Sequence, residues 1–154
     1  MKRPISTERC CRKGNCYKNK GNLVFGLAME KKDYSPLALA YLGDAHFTLT
    51  VRRYLLDKEV RMEKLQKAAS NFEKAASQAR YVHYLLENGL LTPEEEEIYR
   101  WGRNSKSHKA PRSTDAVTYH VATGFETLWG YLYLNGNETR LEQLWDIIRT
   151  MEGE

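Results

Sequence analysis

Two acidic residues stand where a folded chain has least use for a charge. Asp44 lies in LALAYLGDA, residues 37–45, with Gly43 and Ala45 on either side and Ala40 one helical turn back. Glu126 lies in GFETLWGYLYL, residues 124–134, with Gly130 one turn on. A carboxylate among apolar residues is costly unless a cation, a metal ion or a shared proton compensates it. Small neighbours leave both carboxylates unshielded, as a hydrated divalent ion and a substrate phosphate would require. Hard oxygen donors suit magnesium, and a bound ion activates water for hydrolysis at phosphorus. The other solution open to the same residues is structural, with Asp44 paired to Arg52 or Arg53 and Glu126 to an arginine of another helix.

The second chemical feature is a run of cations. From residue 100 to residue 112 the chain holds Arg100, Arg103, Lys106, Lys109 and Arg112 without one acid, and Asn104 lies among them. Each Lys or Arg that neutralises a phosphate releases condensed counterions, so such a run is the footprint of a segment that holds a nucleic-acid backbone. The same charges also suit a solvated loop that balances Glu94 to Glu97. The first 28 residues are basic too, with seven Lys or Arg against Glu8 alone, whereas residues 29–154 hold 17 Lys or Arg against 19 Asp or Glu. A mildly acidic body argues against indiscriminate polyanion binding and sets the run at 100–112 apart. His46, His83, His108 and His120 show no ligand spacing, and His46 and His83 read as core or interface residues.

These groups need elements to position them, and every periodic segment reads as helix. Ser35-Pro36 opens the first, with Ser as N-cap and Pro in the first turn, and LALAYLGDAHFTLTVRRYLL continues it past Gly43. Leu39, Leu42, His46 and Leu49 form its predicted core stripe, flanked by Leu37, Tyr41, Asp44, Thr48 and Val51 or Arg52, which sets Asp44 beside the core. Residues 61–87 carry Met62, Leu65, Ala69, Phe72, Ala76, Ala79 and His83 at helical spacing, as one helix or two with a break near Ser70-Asn71. Thr92-Pro93-Glu94-Glu95 is a capping box for a helix to about Gly102. Asp115 offers the cap of another, which carries Tyr119, Ala122, Phe125 or Glu126, Trp129 and Tyr133 to the stop at Asn135-Gly136. A last amphipathic helix presents Leu141, Leu144, Ile148 and Met151. No segment alternates with period two for long enough to make a strand, so an all-α bundle is predicted.

With 154 residues, 42% of them hydrophobic and 29% charged, the chain reads as one soluble globular domain. No apolar run approaches the roughly 18 residues that span a bilayer. The start MKRPISTERCCRKGNC is charged where a signal peptide needs its apolar segment, so a cytoplasmic location is expected. Cys10, Cys11 and Cys16 all lie in the first sixteen residues, so packing rather than disulfides must hold the later chain, and a metal site there lacks a fourth ligand. Residues 1–28 read as a disordered basic tail or a non-native extension, with Met29 as the start of the domain at 29–154 and an RNA-binding arm as the functional alternative.

Taken together and in order, LALAYLGDA, GRNSKS (residues 102–107), PRSTDAVTY (residues 111–119) and FETLWGYLYL (residues 125–134) resemble the ribonuclease III family. The first resembles its Leu-Gly-Asp signature and the last its second acidic motif, and the likeness runs from about residue 36 to the C-terminus. It is strongest to the mini-ribonuclease III branch, which has the catalytic domain without a double-stranded-RNA-binding domain. The resemblance implies a ribonuclease III-like helical bundle, dimeric, that cleaves double-stranded RNA with Mg2+ bound by Asp44 and Glu126. It implies products with 5' phosphate and 3' hydroxyl ends, and a 23S ribosomal RNA precursor stem as substrate, with a ribosomal protein as a candidate partner. Tyr41 falls on an aromatic that packs across the homodimer interface in relatives. Larger members carry further acids where this chain has Leu37, Ala40 and Thr123, so water or phosphate oxygens must complete the coordination. Without a separate RNA-binding domain, Arg100, Arg103, Asn104, Lys106, Lys109 and Arg112 are the residues expected to hold the duplex, through phosphates and 2'-hydroxyls rather than base edges.

Two other functions fit parts of the pattern. A catalytically silent RNA-binding or ribosome-assembly module on the same fold is separated from the enzyme by magnesium-dependent cleavage of duplex RNA. An all-α nucleotide pyrophosphohydrolase would line its helices with repeated Glu-x-x-Glu pairs, whereas Glu94 to Glu97 open a helix, where acids complement the dipole.

Overall fold

The computed structural model describes residues 34–105 and 115–153, and all regular structure among them is helical: α1 (Pro36–Leu56), α2 (Met62–Glu73), α3 (Ala75–Glu87), α4 (Pro93–Arg103), α5 (Ala116–Leu134) and α6 (Glu138–Met151). The tail at 1–28 lies outside the described residues. Local chemistry starts the helices where the sequence places it. Ser35 Oγ accepts from the Ala38 N–H at 3.1 Å, and Asp115 Oδ1 accepts from the Thr118 N–H at 2.9 Å. Thr92 and Glu95 close a reciprocal capping box at the start of α4. Among the described residues, no helix is long and apolar enough to cross a membrane.

α5 is the central element, packed against α1, α3, α4 and α6. It is buried on nearly every side, which is why its sequence is apolar with little periodicity. Phe47 of α1 meets Phe125 and Trp129 edge-on, with ring centroids 5.2 and 5.1 Å apart. Burying one such ring contributes roughly 1.5–3 kcal/mol. Leu141, Leu144 and Ile148 bury the inner face of α6 as the spacing requires, with Met151 half-buried. Glu95 is buried and takes a forked ion pair from Arg140 at 2.7 and 2.8 Å, which ties α4 to α6.

Two predicted registers are corrected. The chain between residues 61 and 87 does break, but at Lys74, about a turn after Ser70-Asn71, with an extended residue that caps both α2 and α3. The helical phase restarts there, so Ala76 and His83 are exposed while Gln78, Tyr81, Val82 and Leu85 turn inward. On α1 the buried stripe is Leu39, Ala40, Gly43, Phe47, Val51 and Leu55, whereas Leu49 is 63% exposed and Leu42 and His46 are only half-buried. The cause is a crossing at glycines. A Cβ on Gly43 would overlap the Glu126 carbonyl oxygen and lie 2.7 Å from the Gly130 nitrogen, and one on Gly130 would overlap the Leu39 carbonyl. α1 and α5 therefore touch backbone to backbone, and the inward face of α1 is chosen by the absence of a side chain at residue 43 rather than by the leucines.

Candidate active site

That crossing fixes the two acids relative to one another. Asp44 follows Gly43 on α1, and the backbone that Gly43 touches is that of Glu126 itself. The carboxyl of Glu126 is pushed up to about 8, first by burial and then by the charge of Asp44, so the two side chains share one electrostatic neighbourhood. The Asp44 carboxyl is likewise held above its usual range by partial burial. The expectation that Asp44 sits against the core is nevertheless corrected. Asp44 is an exposed residue on the outward flank of α1, and the residue turned inward beside it is Gly43. Glu126 is the half-buried interruption of the otherwise buried stretch 121–130 of α5.

Among the described residues, neither acid has a structural cation. None of the ion pairs among the described residues includes Asp44 or Glu126, and Arg52, the candidate partner of Asp44, turns instead to Glu73 at 3.5 Å. The polar group that does face Glu126 is the side chain of Gln78 on α3, which favours the ionised carboxylate. Sequence reasoning missed Gln78. The available signal was its spacing with Val82 and Leu85, which places an amide at i on a face whose i+4 and i+7 positions are apolar.

The two carboxyls share an open edge of the helical pair, Asp44 raised by partial burial and Glu126 by burial and the charge of Asp44, and a cation between them relieves these penalties. Among the described residues no group of three or more His, Cys, Asp or Glu gathers as a metal cluster, so the protein side supplies two carboxylates and water or phosphate must supply the rest. This suits a hard, hydrated ion such as magnesium, which ordinarily keeps several waters. Thr123 is buried and spends its hydroxyl on the Tyr119 carbonyl at 3.0 Å, Ala40 is buried in the crossing, and neither offers a further carboxylate.

The basic segment begins at the last turn of α4. Gly102 packs against the side chain of Thr127, the residue after Glu126, so α4 ends beside the part of α5 that carries the acid. Arg103 and Asn104 are exposed there, and Arg100 is exposed but engaged with Glu96 at 3.3 Å across one turn. Lys106, Lys109 and Arg112 lie outside the described residues. Tyr41 is 83% exposed on the outer face of α1, one turn before Asp44. His46 is structural as expected: its Nδ1 accepts from Trp129 Nε1 at 2.9 Å and its ring stacks on Tyr133 at 4.1 Å. His83 is corrected to a surface position.

The model of the Ribonuclease III domain matches residues 37–137, an interval that contains both acids, the crossing glycines and the basic segment. The chain belongs to the ribonuclease III family. It is 43% identical over 109 residues to the Mini-ribonuclease 3 of Streptococcus pneumoniae, covering 70% of this chain and 85% of that one. It is 40% identical over 121 residues to the Mini-ribonuclease 3 of Staphylococcus aureus, covering 78% and 90% of the two chains. A crystal structure of a Fusobacterium nucleatum protein superposes with a TM-score of 0.71 at 30% identity, covering 79% of this chain and 96% of that one. This ribonuclease III family member is accordingly a ribonuclease III-type endonuclease acting on double-stranded RNA, within a family that is generally dependent on divalent metal.

Proposed function

We propose that the enzyme hydrolyses a double-stranded stem of a 23S ribosomal RNA precursor, the substrate that its family resemblance implies, with Mg2+ as the ion and Asp44 and Glu126 as its protein ligands. The observation that carries the reading is the meeting of two carboxyls, both raised and without a described cation, at a crossing that tolerates no side chain on Gly43 or Gly130. When bound, the ion would lower the pKa of a water and offset charge developing on the scissile phosphate, leaving 5' phosphate and 3' hydroxyl ends. Asp44, exposed at the edge, meets the solvent side of that site, and Glu126 gives up its proton on entering it. Arg103 and Asn104, at the end of α4 beside α5, hold phosphates and 2'-hydroxyls of the duplex, and Arg100, Lys106, Lys109 and Arg112 are the further duplex-holding residues of the same run.

The working unit of this proposal is a homodimer joined through the outer face of α1. What supports it is that Tyr41 and Leu49, 83% and 63% exposed, stand two turns apart on that face, an apolar surface with no partner among the described residues. Two copies would set two acid pairs along one duplex and cut both strands, with a ribosomal protein as a presenting partner. The deciding experiment incubates duplex RNA with the wild type and with Asp44→Asn, in Mg2+ and in EDTA. Cleavage by the wild type in Mg2+ alone, with a 5' phosphate on the products, is the expected result. Binding without cleavage under every condition would make the protein the silent RNA-binding module instead.

A further inference from the structure

Gln78 is 1% exposed, yet its Nε2 has no hydrogen-bond partner among the described residues. A buried amide left in that state costs about 1–3 kcal/mol, and folded proteins rarely keep one without a use. Its surroundings on α3 are apolar: Val82 one turn on and Leu85 at the next are both fully buried, and Ala79 beside it is buried too. A leucine or methionine at this position would fit that face without any polar debt. What the amide does face is the Glu126 side chain, across the packing of α3 on α5. The helix break at Lys74 is what turns residue 78 inward, so the amide reaches α5 only because α2 and α3 are separate helices.

We infer that Gln78 is a positioning residue for the metal site: its N–H group anchors one oxygen of Glu126, so that the carboxylate is presented to the ion shared with Asp44. The inference rests on the assignment of Asp44 and Glu126 as ligands. With the carboxylate ionised and drawn toward a cation, the N–H has a charged acceptor, and a hydrogen bond to a charged acceptor is roughly twice as strong as a neutral one. Gln78 touches neither substrate nor ion. Its contribution is to fix the rotamer of a ligand, the task that carboxylates and amides behind metal ligands commonly perform.

The test uses the full chain and Mn2+ as a spectroscopic stand-in for Mg2+, with free Mn2+ read by electron paramagnetic resonance. Four proteins are compared: wild type, Asp44→Asn, Gln78→Met, which keeps the volume and removes the donors, and Gln78→Asn, which withdraws the amide by one methylene. The wild type should bind Mn2+ and Asp44→Asn should not. Both Gln78 variants should bind it roughly 10- to 100-fold more weakly, the range usual for groups behind a ligand. In EDTA, Gln78→Met should melt at or above the wild-type temperature, because an unpartnered buried amide has been removed; a purely structural glutamine predicts a fall. Wild-type Mn2+ affinity in a folded Gln78→Met overturns the inference while leaving the acid pair in place. Equal Mn2+ binding by the wild type and Asp44→Asn overturns the ligand assignment itself. If Gln78→Met does not fold, the same titration on Gln78→Asn decides, with tight binding again counting against the role.

Discussion

At the scale of single residues the enzyme is built around a carboxyl that its own fold disfavours as an anion. The Glu126 carboxyl is pushed up to about 8 from its ordinary 4.5, chiefly by burial and secondly by the charge of Asp44. A group whose folded pKa is raised contributes stability that is fully present below the unfolded value and is lost as pH rises through the folded one. The metal-free wild type should therefore weaken between about pH 5 and pH 9, and Glu126→Gln should remove that slope. Chemical denaturation in EDTA should find the variant about 1–3 kcal/mol more stable than the wild type at pH 9 and nearly equal to it at pH 5. A difference independent of pH would show that Glu126 is ionised throughout. The same variant should lose cleavage at every pH, because a neutral amide keeps the shape and not the charge. Stability and activity thus move in opposite directions at one residue, as expected of a site whose ligands repel until the ion arrives.

At the scale of elements, the helices α1 and α5 approach closely enough for backbones to touch, and glycine is the reason. Gly130→Ala would drive a methyl into the Leu39 carbonyl, and the facing backbone cannot rotate away as a side chain would. Forcing the helices apart should cost about 1–3 kcal/mol or more and should separate Asp44 from Glu126. Gly136 supplies the control. It has a φ of +69° and open space around it, so Gly136→Ala carries only the strain of a left-handed residue, about 1–2 kcal/mol. Both variants should lower the melting temperature, whereas metal-dependent cleavage, measured well below either transition, should fall in Gly130→Ala alone. Equal activity in the two would mean that the crossing serves packing and not the site.

At the scale of the whole molecule the questions are how many copies act and how they grip RNA. Tyr41→Arg places a charge in the apolar outer face of α1 and should convert a dimer to monomers at micromolar concentration, read by light scattering. A wild type that is monomeric and fully active would refute the two-site arrangement. The basic segment has a quantitative signature. If Arg103, Lys106 and Lys109 each neutralise a phosphate, replacing all three by Ala should flatten the log-log salt dependence of duplex binding by about two to three units, since each contact contributes about 0.7 to 0.9. The weakening should be greatest at low salt, with stability changed by no more than about 0.5 kcal/mol. An unchanged slope would leave these charges as counterweights to Glu96 and its neighbours, a part Arg100 already plays through its ion pair.

What the sequence determined by itself is what local chemistry controls. The caps at Ser35, Thr92 and Asp115 start their helices because the hydroxyl or carboxylate satisfies backbone N–H groups within three residues, and that needs no distant partner. The oddity of Asp44 and Glu126 was legible too, since an acid in an apolar helix stands out before any fold is known. The inward face of α1 was not. Apolar spacing favours Leu42 and Leu49, while the packed helix turns Gly43 inward, because a backbone contact from α5 leaves room for no side chain there. Gln78 was hidden for a related reason. Its importance depends on where α2 stops, and no side chain caps either helix at Lys74, so no capping residue marks the break in the sequence. Only tertiary packing could bring residues 44, 78 and 126 from three helices to one place, since the distances between them are decided by helix contact and not by spacing along the chain.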